Sequence, residues 1–146
     1  MKIYLLFSFL TLAGLMACSE QQPVPLVINT DNCDFCKMTI SDPKFGAELL
    51  TNKGKIYKFD AIECLAGFCA EQTVKPEDVH SRWAINLIRP GELIDVATST
   101  FFQCERLPSP MGKNYSAVPT QTDFDRVAVN YQCRKMTWDE ILRAEQ

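Results

Sequence analysis

The sequence has a single histidine among its 146 residues. A histidine-based metal site and a Ser-His-Asp triad are therefore both disfavoured, because each depends on imidazole. The 15 basic residues do not exceed the 18 acidic ones, and the formal net charge is -3. With no excess of Lys and Arg to neutralise phosphates, a nucleic-acid-binding function is excluded. An aromatic content of 10% excludes wholesale disorder.

The first residues have the features of a secretory signal. Lys2 is followed by an apolar run of about 15 residues that ends at Ala17, too short for the ~20 residues of a membrane span. It ends in Leu15-Met16-Ala17-Cys18, which resembles the lipobox of bacterial lipoproteins. We predict a lipoprotein signal peptide over residues 1–17, lipid attachment at Cys18, a flexible tether over 18–25 and a folded domain over 26–146.

This reading predicts a location outside the cytoplasm. The protein would be anchored to the bacterial membrane on its periplasmic side, with the lipid bilayer as a partner through Cys18. In a cell with two membranes, Ser19 after the lipid-bearing cysteine favours the outer membrane over the inner one.

Hydrophobic periodicity predicts short strands mixed with helices. Residues 47–51 and 55–59 read as a β-hairpin around a turn at 52–54. A helix follows, with Asp60 as its N-cap and Glu63 as the third residue of a capping box, and runs to about Gln72. The remaining predicted elements are strands over 81–88, 92–96, 100–105 and 115–118, a helix over 120–134, and a last helix from Thr137.

A short internal sequence similarity suggests a repeated unit. Gly54-Lys55-Ile56-Tyr57 precedes the first predicted helix, and Gly112-Lys113-Asn114-Tyr115 precedes the second. A strand pair followed by a helix would then occur twice, although four matching letters also arise by chance.

Sulfur is abundant, with seven Cys and five Met, and its richest motif is Cys33-Asp34-Phe35-Cys36-Lys37-Met38. In an extended backbone, residues i and i+2 face the same way, so Cys36 and Met38 can present sulfur to one ion. A thioether is a poor zinc ligand but suits Cu(I). Met111, in a stiff loop between Pro110 and Gly112, can supply a third soft ligand.

Two other interpretations of the Cys-x-x-Cys pair stay open on residues alone. It can be a redox or structural disulfide, as in an extracytoplasmic thiol–disulfide oxidoreductase, or part of a structural zinc or disulfide-stapled interaction domain. Thr39-Ile40-Ser41-Asp42-Pro43 after the motif disfavours the helix that a thioredoxin-type enzyme needs there. With one imidazole and no base near a cysteine, we predict no enzymatic activity.

The other cysteines are interpreted more simply. Cys64 and Cys69 lie five residues apart on a predicted helix, so their directions differ by about 140° and they do not converge on one ion. They read as small buried residues. Cys104 and Cys133 read likewise, with a mutual disulfide as one option, and His80 reads as exposed.

In order along the chain, these pieces resemble the NosL family of copper-binding lipoproteins, which assist nitrous oxide reductase maturation. The resemblance is carried by the lipobox and by Cys33-x-x-Cys36-x-Met38, Gly46-Ala47-Glu48, residues 54–60, Cys64, Val96-Ala97, Pro110-Met111-Gly112, Ala117 and Phe124. One departure is Lys37, where the family usually has Gly.

The resemblance implies an α+β fold with two small related ββα units packed as one compact globule. It also implies a membrane-anchored Cu(I) chaperone that delivers copper for maturation of nitrous oxide reductase, in the periplasm of a denitrifying cell. The implied partners are the copper-accepting reductase or its membrane assembly complex. The implied metal ligands are Cys36, Met38 and Met111, together with Cys33.

Overall fold

The N-terminal part of the described chain forms an antiparallel sheet. A computed structural model describes residues 21–146. Its strands are β1 (Ala47–Thr51), β2 (Ile56–Phe59), β3 (Val79–Ile85) and β4 (Leu93–Asp95). They are arranged in the order β2-β1-β3-β4, which leaves β2 at one edge. The hairpin predicted over 47–59 is confirmed, and its turn uses Gly54 at a φ of 80°.

The second sheet lies in the C-terminal part. Its strands are β5 (Thr100–Cys104), β6 (Tyr115–Val118) and β7 (Cys133–Met136), in the order β6-β5-β7. The two sheets meet where buried Asn86 forms a bridge to Ala117, and the Leu87 N–H donates to the Ala117 carbonyl at 3.0 Å.

Among the described residues, three helices cover the sheets. They are α1 (Ile62–Ala70), α2 (Gln121–Ala128) and α3 (Trp138–Ala144), and a short 3₁₀ helix spans Pro76–Asp78. Nearly all of α1 is buried, and its apolar side packs into one core with β1 and β2. Helix α2 has a much smaller apolar side and covers a separate cluster centred on Phe102 and Val118.

The same topology occurs twice. Strands β1 and β2, helix α1 and strand β3 form a ββαβ unit, with β1 central between its two partners. Strands β5 and β6, helix α2 and strand β7 repeat that order. Gly54 and Gly112 begin the two similar sequence segments, and each has a φ of 80° just before the second strand of its unit. The predicted α+β class with two related units is confirmed, and each unit has a further strand after its helix.

Several predicted boundaries differ from the structure: α1 ends at Ala70 rather than near Gln72, and the strand predicted over 81–88 spans Val79–Ile85. The helix expected with Asp60 as its N-cap begins one residue later, with Ala61 as its N-cap and no side-chain cap, because the Asp60 side chain is buried. The helix expected over 120–134 ends at Ala128. Residues 133–136 instead form β7, where pairing with β5 and a disulfide outweigh the helical pattern. The last helix begins as predicted, with a complete capping box at Thr137 and Glu140.

The predicted signal peptide over 1–17 and the lipid-bearing Cys18 lie outside the described residues. Within the described part of the tether, the Val24 N–H donates to a Glu48 carboxylate oxygen at 3.1 Å. Across residues 21–146, no helix combines the length and apolarity that crossing a bilayer requires.

Candidate metal centre

The Cys-x-x-Cys-x-Met motif forms a closed loop. Asn32 and Thr39 pair as an antiparallel bridge at its base, and the Cys33 N–H donates to the Met38 carbonyl at 2.8 Å. Inside the loop, the Lys37 N–H donates to the Cys33 carbonyl at 3.0 Å. Lys37 has a φ of 66°, in the left-handed region that favours glycine. This backbone geometry accounts physically for a glycine preference at the position where the sequence departs from the NosL pattern.

The motif loop is attached to the free edge of the first sheet. The Asp34 N–H donates to the Lys58 carbonyl, and the Lys58 N–H donates back to an Asp34 carboxylate oxygen, both at 2.8 Å. The Lys58 ammonium also pairs with Asp31 at 2.6 Å. Since α1 begins shortly after β2, these contacts hold the motif beside the first turn of that helix.

A glycine on α1 lets the loop pack closely. A Cβ atom at Gly67 would lie 2.7 Å from the ring of Phe35, so any side chain at this position would displace the ring. Gly67 and Cys64 are three residues apart and share one face of α1. The same helix face therefore receives both the Phe35 ring and the cysteines of the motif.

Three cysteine side chains meet at this face. The sulfur atoms of Cys33, Cys36 and Cys64 all lie within 4.8 Å of one another. Cys33 and Cys64 are fully buried, whereas Cys36 is only partly buried. We call this group the thiol cluster. Within residues 21–146 it is the one group of three or more Cys, His, Asp or Glu side chains whose ligand atoms converge in this way.

Hydrogen bonds make Cys33 the thiolate of the cluster. The pKa of Cys33 is lowered to about 5 despite its burial. The largest cause is the hydrogen bond from the Cys64 thiol, and smaller contributions come from the backbone N–H groups of Asp60, Cys36 and Phe35. The Cys36 N–H lies 3.4 Å from the Cys33 sulfur. Thiolate is the form of cysteine that binds metals, so this sulfur is prepared for a soft ion at neutral pH.

The other two cysteines remain protonated beside that charge. The hydrogen bond to Cys33 and burial raise the pKa of Cys64. Burial is also the largest cause that raises the pKa of Cys36. A metal ion bound by all three sulfurs would therefore displace the two remaining thiol protons.

Asp60 lies next to the cluster rather than capping the helix. Its carboxyl group is buried, and burial, together with the charge on Cys33, raises the pKa of Asp60. Its backbone N–H is one of the donors to Cys33. Glu63, expected in the same capping box, is also buried and accepts a hydrogen bond from the Ser109 hydroxyl.

The two predicted methionine ligands lie in exposed loops. Met38 is 48% exposed and Met111 is 38% exposed. Cys36 ends a turn and Lys37 has a left-handed backbone, so the extended geometry expected to align the Cys36 and Met38 side chains is not present. The roles of Cys33, Cys36, Met38 and Met111 as metal ligands stay predictions.

The remaining cysteines and the histidine lie elsewhere. Cys69 lies outside the thiol cluster, as the helical geometry predicted. Burial raises the pKa of Cys69, and the nearby Arg82 guanidinium partly offsets that rise. Cys104 and Cys133 form a disulfide between β5 and β7. His80 is exposed, as expected.

Cys64 is the site residue that sequence reasoning missed. It was interpreted as a small buried side chain, and it is buried, but it also faces the motif. A signal was present, because Cys64 lies in the first turn of a helix that follows an edge strand. Nothing in the spacing showed that the motif loop docks on that edge.

Fold and site together define an α+β protein with a cysteine cluster that can hold a metal ion. No protein-family model matches the sequence, and no curated protein matches it either. Among solved structures, the chain is similar to the crystal structure of the copper chaperone NosL from Shewanella denitrificans. The TM-score is 0.70 at 19% identity, over 86% of this chain and 98% of that one. At this identity the likeness establishes the fold, and the NosL resemblance found in the sequence is confirmed at that level.

Proposed function

We propose that this protein is a membrane-anchored Cu(I) chaperone that delivers copper for maturation of nitrous oxide reductase. The observation that carries the proposal is the convergence of three cysteine sulfurs within 4.8 Å. The similarity of the fold to a copper chaperone supports it. Copper is the cargo of such a protein, so no catalytic step is part of the proposal.

The composition of the cluster favours Cu(I) over zinc. Soft sulfur ligands suit Cu(I), while a structural zinc site takes four ligands in a closed tetrahedron. The cluster offers three ligands, and no carboxylate or imidazole of residues 21–146 joins them. Met111 would add a neutral thioether, which is a weak ligand for zinc.

The uneven burial of the cluster suits a carrier. Cys33 and Cys64 are buried, whereas Cys36 is partly exposed and is followed in the chain by exposed Met38. A partner can therefore approach the ion from one side. In the proposal, this partner is the copper-accepting reductase or its membrane assembly complex, reached while Cys18 holds the protein at the periplasmic face of the membrane.

A copper titration tests the proposal and the added ligand. We expect the full-length protein in detergent to bind one Cu(I) tightly against a chromogenic Cu(I) chelator without oxygen, and to bind Zn²⁺ weakly. Replacement of a direct ligand should exceed the 10–100-fold loss typical of outer-shell partners. Cys36→Ser and Cys64→Ser should therefore weaken Cu(I) binding by more than about 100-fold, and Met111→Leu should weaken it without unfolding the protein.

Cys69→Ser is the matched control, because Cys69 lies on the same helix outside the cluster. It should leave the affinity unchanged. Unaltered affinity in the Cys36 and Met111 variants would refute the ligand assignment, and preference for Zn²⁺ would favour a structural site. Trapping of client proteins as mixed disulfides by Cys36→Ser would instead support the thiol–disulfide oxidoreductase. Against that alternative, the low-pKa Cys33 is buried, whereas reactive cysteines are partly exposed.

A further inference from the structure

The loop that carries Met111 is closed by its own hydrogen bonds. The Asn114 N–H donates to the Ser109 hydroxyl oxygen at 2.9 Å, and the Ser109 N–H donates to the Asn114 side-chain carbonyl at 3.1 Å. A turn bond from the Gly112 N–H to the Ser109 carbonyl, 3.0 Å long, places Met111 at the tip. Ser109 takes part in all three of these bonds, so it is the residue on which the closed loop is built.

Ser109 is held by a buried carboxyl group on α1. The Ser109 hydroxyl donates to one carboxylate oxygen of Glu63, whose side chain is 3% exposed. The other oxygen has no hydrogen-bond partner among residues 21–146. The Tyr115 N–H, just after the closed loop, is a further backbone donor near this carboxyl group. Glu63 thus contacts the loop at Ser109, its first residue.

Glu63 directly precedes Cys64 in the first turn of α1. Consecutive helical residues point about 100° apart. Cys64 faces the Cys-x-x-Cys loop and Glu63 faces the Met111 loop, so the two loops occupy neighbouring faces of a single helical turn. The Glu63–Ser109 bond therefore joins the Met111 loop to the helical turn that carries Cys64.

Stability alone gives a poor account of this carboxyl group. Burial without full hydrogen bonding costs free energy, and within the described part of the chain the second oxygen of Glu63 accepts no hydrogen bond of normal geometry. Replacing both partners of a buried hydrogen bond by apolar groups of the same shape can be nearly neutral for stability. A directional bond to one hydroxyl does what an apolar side chain cannot, because it selects one position for the loop.

We propose that Glu63 is a positioning residue, which through its hydrogen bond to Ser109 places the Met111 thioether where it can join the copper ion held by the thiol cluster. This inference rests on the proposed function, since it takes Cu(I) as the cargo.

A double-mutant cycle on full-length protein in detergent tests the role. Ser109→Ala and Glu63→Ala should each weaken Cu(I) binding by about 10-fold or more, which is also the loss expected of Met111→Leu. Combined with Met111→Leu, neither should cause a further loss. Glu63→Gln keeps an acceptor for the Ser109 hydroxyl and should restore most of the affinity. Copper X-ray absorption should show one sulfur neighbour fewer in Ser109→Ala, as in Met111→Leu.

The matched control is Ser116→Ala, which removes another buried serine hydroxyl close by in β6. It should leave the affinity and the sulfur count unchanged. If Glu63→Ala fails to fold, Ser109→Ala carries the cycle, because it deletes a single oxygen. If the losses of Cu(I) affinity were additive, or if Ser109→Ala kept the sulfur count of the parent, the positioning role of Glu63 would be overturned. Tight Cu(I) binding by the parent would still uphold the proposed function in that case. A parent without Cu(I) binding would overturn both.

Discussion

Glu48 is a fully buried residue in the middle of the first sheet. It lies opposite Lys58 on β2 and Trp83 on β3, and one of its oxygens accepts the Val24 N–H. Burial raises the pKa of Glu48 to about 7, while that N–H and the charge of Lys58 lower it and the charge of Asp31 raises it. This group makes the stability of the fold sensitive to pH near neutrality.

We expect Glu48→Gln to change the pH dependence of unfolding. The folded state holds the Glu48 proton more tightly than the unfolded state, whose pKa is near 4.5. The stabilisation is therefore complete below pH 4.5 and is lost as pH rises through about 7. At pH 8 the variant should be more stable than the parent by up to about 3 kcal/mol. Urea unfolding at pH 5 and pH 8 measures the difference.

Glu71→Gln provides the control, because Glu71 is exposed just after α1. Its effect should stay within about 0.5 kcal/mol at both pH values. If Glu48→Gln and the parent kept the same difference in stability at pH 5 and pH 8, the buried carboxyl group would not be the cause.

At the scale of elements, the second unit depends on a covalent link. Cys104 and Cys133 are register partners on β5 and β7, and their disulfide closes a loop that contains β6 and α2. The apolar cluster under α2 is small, with Phe102, Cys104, Val118 and Val127 as its buried members. The disulfide compensates for that limited core.

We expect the double variant Cys104→Ala/Cys133→Ala to lower the free energy of unfolding by about 3 to 4 kcal/mol, from the entropy of the loop it releases. Urea unfolding measures the loss. Because the pair lies outside the thiol cluster, Cu(I) affinity should not change in folded protein. Cys69→Ala, which removes an unbridged cysteine, should cost clearly less. A loss below about 1 kcal/mol in the double variant would contradict this account.

The predictions of helices and strands were wrong where contacts between residues distant in sequence determine the local structure. The hairpin over β1 and β2, strand β6 and the capping box of α3 follow local patterns, and all three were predicted. The start of α1 was not, because Asp60 is used beside Cys33 instead of at the helix end. The polar β7 lacks a strand pattern, and pairing with β5 makes it a strand.

At the scale of the whole molecule, two ββαβ units of one topology have unequal roles. The first contains the thiol cluster between its edge strand and α1. The second contributes the loop with Met111, between β5 and β6, and the bond of Ser109 to Glu63 joins it to the first. The proposed copper site therefore takes residues from both units.

Membrane attachment is a prediction about the whole chain. We expect the protein to be found in the membrane fraction of a bacterial host and to incorporate labelled palmitate. Cys18→Ala should abolish the label, since that sulfur would carry the lipid. Cys36→Ala removes another cysteine and should keep the label. Retention of the label by Cys18→Ala would refute the lipoprotein assignment.

The sequence by itself determined the α+β class, the short elements with strong local patterns and the importance of sulfur, because turn residues, helix caps and motif spacing act over a few residues. The tertiary structure alone decided that Cys64 joins Cys33 and Cys36, and that Glu63 holds the Met111 loop. Those contacts depend on the docking of the motif loop on the edge of β2 and of the second unit on α1. Residues far apart in the chain meet there, so no local spacing encodes the contact.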